Sequence, residues 1–388
     1  MVSVTPCSPK EKLTERRGSK MADSGLLTIA YKEFFDHLRS RRFLLILGIL
    51  LVIAMVGIMN GVSDYRTSVQ SYNSLQQILP QAHETASFVD QYLKVKPSVL
   101  QVFYQMSTLF TIVGGFLGIA MGFDLVTKEK ESKSLKILLA HPVYRDEVIN
   151  GKALGAVGAI VLALGIILFV SLAILLVFGI VPDGSELLLI LFFCAMTFLF
   201  IFSYFAIGLL MSALCEDSGK SLVYTLIIFV ILGTFIPAVV SSPIVMNQVI
   251  GPMPELPKIV ADPAMKDQNR DALDRYDQQT QEYGEKQMKV IDLQYLFSPT
   301  QNYAKITTVL MSPKMTSGML YGSMGMGPSG SLNDTAPDVS VGVTYMKRMD
   351  LDFSGMLTLI FGNIIALLVL PSVFFGLAYV SFMRMDVR

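Results

Sequence analysis

Six apolar segments limit what this chain can become. They run roughly from Phe43 to Met59, Met106 to Phe123, Ala153 to Val181, Leu187 to Leu214, Leu222 to Val240 and Met356 to Phe382. Each is long enough to cross about 30 Å of hydrocarbon as a helix. Lipid offers no partner for a bare N–H or C=O group, so a spanning segment must satisfy its backbone internally. The expected fold class is therefore an all-α polytopic membrane protein with six transmembrane helices. Composition agrees: 52% of the 388 residues are hydrophobic and only 16% are charged.

An even number of spans puts both termini on one side. Outside the spans, Lys and Arg number nine in residues 1–42, six in 124–152, one in 215–221 and two in the C-terminal tail. The opposite side carries thirteen over a far longer length. Basic residues in short loops mark the cytoplasmic face. The expected topology is a multi-pass protein of the plasma membrane with both termini in the cytoplasm. Residues 1–25 read as a disordered tail without the apolar core of a signal peptide, and Met21 is an alternative start.

Residues 26–42 place Leu26, Ile29, Ala30, Phe34 and Leu38 at helical spacing, with Lys32, Arg39, Arg41 and Arg42 as cations. This spacing predicts an amphipathic interfacial helix on the inner leaflet. Two segments are expected outside. Residues 60–105 form an outer loop with helical character, and 241–355 form an extracytoplasmic domain inserted between the fifth and sixth spans. Within that insertion, 261–297 reads as polar helix and 312–338 as a loop rich in Gly, Ser and Pro.

The six apolar segments contain no Asp, Glu, Lys, Arg or His, and Asn363 is among their few strongly polar side chains. Ion-driven carriers need ionisable groups at membrane depth, and intramembrane proteases need a catalytic constellation there. Neither is present in the segments, so energy for any transport must be delivered from elsewhere. Gly114, Gly118 and Gly122 in the second span, and Gly151, Gly155, Ala159 and Ala163 in the third, recur every four residues. Such stripes let helix backbones approach within lipid, either within one chain or between protomers.

Residues 128–155, KEKESKSLKILLAHPVYRDEVINGKALG, are too polar to cross a bilayer. The first part predicts a helix with an i,i+4 pair of Glu129 and Lys133 and an apolar ridge of Leu135, Leu138 and Leu139. Pro142 ends it. A second helix starts near Asp146 and continues through Gly151 into the third span. A protrusion of this shape suits docking: leucines fill a groove and flanking ions set the register. A plain interfacial connector is the other reading these residues allow.

Glu129, Glu131, Ser134, Leu135, Leu138, Leu139, Pro142, Val143, Arg145, Gly151, Lys152 and Gly155 resemble the signature of export-type ABC transporter permeases of the second class. The match covers about 30 residues in distinctive sequence, while the layout agrees over nearly all of 21–388. Lys133 and Ser134 depart from the usual Gly-Thr. The resemblance implies a permease subunit in which loop 124–152 couples to a separate ATPase through Glu129, Glu131, Leu135, Leu138, Leu139, Pro142, Val143, Arg145, Gly151 and Lys152. It also implies a second permease protomer, as homodimer or heterodimer, and ATP and magnesium held by the partner subunit rather than by this chain. Glu216, Asp217 and Lys220 are candidate minor contacts to the same ATPase. SGKS at 218–221 is not a phosphate-binding loop, because Leu214 stands where glycine is required.

The near-zero net charge gives no sign of a nucleic-acid partner, and Cys7, Cys194 and Cys215 have no metal-binding spacing. No metal site is expected. Two other functions stay open. One is a non-transporting scaffold or sensor with an outer binding domain. The other draws on the branch of the resembling family that serves copper-site maturation of nitrous oxide reductase. Met311, Met315, Met319, Met324 and Met326 would supply soft thioether ligands for Cu(I).

Overall fold

The computed structural model describes residues 25–78, 97–133, 144–257, 266–311 and 353–385. Among them there is no strand. Six helices among the described residues are long and apolar enough to span a membrane, so the chain is a multi-pass membrane protein. In order, α1 covers residues 25–39, α2 Arg41–Ile78, α3 Leu100–Gly122, α4 Thr127–Glu131, α5 Arg145–Val177 and α6 Gly184–Leu214. The fifth span joins α7, Ser218–Val230, through a π-helical segment, Ile231–Phe235, to α8, Ile236–Val240. There follow α9, Pro243–Val249, α10, Lys266–Tyr295, α11, Pro299–Met311, and α12, Phe353–Arg384.

The first helix is much longer than its apolar stretch. At 1.5 Å per residue, α2 reaches about 57 Å, against about 30 Å of hydrocarbon. Its second half, from Asn60, is polar and leaves the membrane as continuous helix. The polar stretch expected at 261–297 holds α10.

α3 is the centre of the bundle. It packs along α2 on one side and α6 on the other, while α12 packs along α6. In the apolar window of α3, 61% of residues are buried, against 6% in the fifth span, which leaves that span peripheral. Glycine makes the central contacts possible. A Cβ on Gly118 would collide with the Ile201 carbonyl, and one on Gly122 would lie 2.9 Å from the Leu209 nitrogen. The Gly114 position meets the Phe200 ring at 3.1 Å. This stripe therefore faces α6 of the same chain. Gly57 and Gly61 do the same for α2, against the Met106 and Val102 backbone of α3.

α11 was not anticipated. It is a helix of mixed polarity whose Asn302, Tyr303, Ile306 and Leu310 are buried against α3, α6 and α12. Its polar groups find partners across the bundle. Tyr204 and Thr300 share a hydrogen bond of 2.6 Å, and Thr197 and Tyr303 one of 3.0 Å. Asn363 donates to Asn302 at 2.8 Å, and Gln301 donates to the Gly233 carbonyl of the π segment at 3.4 Å. The Tyr303 ring stacks on Phe200 at 4.6 Å. Bonds of this kind between membrane helices contribute about 0.6 kcal/mol each. Part of the segment 241–355 is thus embedded among the spans.

Candidate functional site

At one end of the bundle, α4 is a helix of five residues fixed by contacts with distant segments. Ser212 near the end of α6 accepts from the Val126 and Thr127 amides at 2.9 and 3.0 Å, satisfying orphan donors at the start of α4. The exchange is reciprocal. Lys130 donates to the Ala213 and Cys215 carbonyls at 2.7 and 2.8 Å and to Ser212 at 3.3 Å. It places an ammonium on the negative end of the α6 dipole.

The start of the fifth span joins the same unit. Ser221 donates to the Phe123 carbonyl at 2.7 Å, and Glu131 accepts from the Ser218 amide. Asp217 caps α7 by accepting from the Lys220 amide at 2.8 Å. That bond holds the Asp217 carboxyl below its usual range. Lys220 and Asp217 also form an exposed ion pair at 3.1 Å. Glu216 is exposed.

Lys152, on the first turns of α5, has a side chain only 5% exposed, so its charge requires compensation. Glu33 of α1 meets it at 2.6 Å and Glu129 of α4 at 2.7 Å. Close approach of α1 to α5 depends on glycine. A Cβ on Gly151 would lie 2.9 Å from the Ile29 Cβ, and one on Gly155 2.6 Å from the Ala30 carbonyl. Part of the apolar stripe of α1, including Ile29 and Phe34, is therefore packed on protein instead of being free for lipid. His37 lines the adjoining cleft of ≈ 550 Å³, and burial lowers its imidazole below the ordinary value despite nearby Glu33 and Asp124.

Arg145 has an internal role: it donates to the Met385 and Met383 carbonyls at 2.9 and 3.3 Å, at the C-terminal end of α12. Glu129 pairs with Lys152, and the expected Glu129–Lys133 pair does not form. The reason is geometric: α4 stops at Glu131, and Lys133 takes φ of +54°, the left-handed conformation that favours glycine. Lys133 thus holds a backbone conformation that glycine adopts without strain. Leu135, Leu138, Leu139, Pro142 and Val143 lie outside the described residues, as do Met315, Met319, Met324 and Met326. Among the described residues no three His, Cys, Asp or Glu side chains converge as a metal site.

Sequence reading missed Lys130, Ser212, Ser221, Glu33 and the Arg42–Asp124 ion pair at 2.8 Å. Their partners lie 82 to 119 residues away. Lys130→Met should destabilise the protein by about 2 kcal/mol, since a charged donor serving buried carbonyls is lost. Thermal unfolding of the detergent-solubilised protein measures it; Lys128→Met, at an exposed neighbour, should change little.

The charged side chains of the ion pairs and hydrogen bonds described here lie outside the apolar segments, which themselves carry no Asp, Glu, Lys, Arg or His. No curated protein sequence matches the chain. A family model described as ABC-2 family transporter protein matches residues 27–387, almost the whole of the bundle and every contact described above. The chain belongs to the ABC-2 transporter family, as a membrane permease component of an ABC transporter.

Proposed function

We propose that this chain is the permease of an exporter driven by separately encoded ATPase subunits that dock on the segment between α3 and α5. The observation that carries this reading is the anchoring of α4. It is bonded to the ends of α6 and α7 and ion-paired to α5, so a load applied to 128–152 reaches several spans together. The charge-free spans support the same conclusion, because the coupling energy has to enter from outside the membrane.

In this reading both termini and the docking segment face the cytoplasm, α1 lies at the inner leaflet, and 241–355 contributes the outer surface. ATP and magnesium bind the partner. A second protomer completes the transport path, and the open apolar face of the fifth span offers room for it. Leu135, Leu138, Leu139, Pro142 and Val143 supply the contact to the ATPase, and Glu216, Asp217 and Lys220 lie at its rim.

Affinity purification of the full chain from its native membrane, followed by mass spectrometry, tests the assignment. The expected result is stoichiometric recovery of a protein with a complete phosphate-binding loop, and ATP hydrolysis by the complex. Recovery of the chain with no such protein would overturn it.

A further inference from the structure

We infer that Lys152 is a positioning residue that fuses α1 to α4 and α5, so that displacement of the docking segment drives the first span as well as the third. This rests on the ATPase-docking reading. Lys152 contacts carboxylates from two other elements, Glu33 on α1 and Glu129 on α4, and is itself buried. A buried ion cluster resists sliding, because separating the partners leaves a charge without compensation. The Gly151 and Gly155 contacts place the α1 backbone directly on α5, which removes the space in which α1 could rock.

The link onward to the first span is short. Only Ser40 separates α1 from α2, and its hydroxyl accepts from the Phe43 amide at 3.2 Å, capping the new helix. Arg42, at the base of α2, pairs with Asp124, three residues before the start of α4. Force entering at α4 therefore has an ionic route into α2 at each end of the Ser40 break. α1 belongs to the coupling machinery and is more than a membrane anchor.

The test uses the full chain with its co-purified ATPase, with Cys7, Cys194 and Cys215 replaced by Ser. Gly25→Cys with Glu147→Cys, bridged by a short bifunctional methanethiosulfonate, ties α1 to α5 reducibly at a position where the added Cβ meets only the Glu147 side chain. If the two elements move as one, the cross-linked complex should hydrolyse ATP within about twofold of the reduced form, whereas relative sliding would cost about tenfold or more. Lys152→Met should leave ATPase recovery unchanged and lower hydrolysis by about tenfold, with the cross-link or Lys152→Arg restoring it. Because Lys152→Met strands two carboxylates, Glu33→Gln/Glu129→Gln/Lys152→Met provides a neutral, similarly packed version expected to show the same loss.

Arrest by the cross-link, or wild-type hydrolysis by the neutral triple variant, would overturn the inference. If no ATPase co-purifies, the docking reading has failed instead. The clamp is then read from cross-linking yield, which the neutral triple variant should lower by about tenfold if Lys152 holds α1 in place. Unchanged yield would overturn it.

Discussion

Gly118→Leu should eliminate the folded protein. The Cβ of any larger residue at this position meets the Ile201 carbonyl, which belongs to helix backbone and cannot rotate away. α3 and α6 would have to separate along the central seam of the bundle, where Phe200, Ile201 and Phe205 are all fully buried. Overpacking a close-packed site costs about 1 to 3 kcal/mol where neighbours can adjust, and here the neighbour is main chain that cannot, so the cost exceeds that range. The expected readout is loss of the monodisperse peak in size-exclusion chromatography of detergent extracts. Gly165→Leu provides the control, because a Cβ there has nothing within 4 Å. Equal damage from both substitutions would show that residue size in these helices, and not the α3–α6 contact, is responsible.

The spans and the small-residue stripes were legible because each is written in neighbouring residues. A stripe of glycine at four-residue spacing is visible without knowing what faces it. Its partner is not visible: Gly114, Gly118 and Gly122 turn to α6, whereas Gly151 and Gly155 turn to α1. Hydropathy also sets the wrong end for a helix that leaves the membrane, since α2 continues to Ile78 on polar helix-forming residues after the apolar run ends at Met59. α11 escaped for the opposite reason. Its Thr300, Asn302 and Tyr303 look like surface, and they become interior only because Tyr204, Asn363 and Thr197 answer them from spans far away in sequence.

The candidate site divides along the same line. Its signature residues could be named from local pattern, but their physical roles differ from a surface contact. Arg145 caps α12, Lys152 is buried between carboxylates, and Glu131 accepts from the start of α7. A motif of this kind is therefore partly a set of internal braces. Residues that brace a docking segment and residues that touch a partner occupy one stretch of sequence, and only the contacts separate them.

That division makes the leucines the sharper probe of the ATPase. Leu138→Asp combined with Leu139→Asp should abolish ATPase recovery, with a loss of at least about tenfold, because apolar anchors dominate interfaces and a carboxylate in their groove is desolvated without a partner. The permease itself should remain monodisperse, since the braces described above, from Lys130, Ser212, Ser221 and Lys152, do not involve these positions. Glu216→Ala with Lys220→Ala should reduce recovery by no more than about twofold, as expected for exposed rim charges. Quantitative mass spectrometry of affinity-purified complexes distinguishes the cases. Full ATPase recovery with the double aspartate variant would place docking elsewhere on this end of the bundle and leave 128–152 as a brace alone, whereas its loss with an intact permease assigns the leucines to the partner and the ions to the fold.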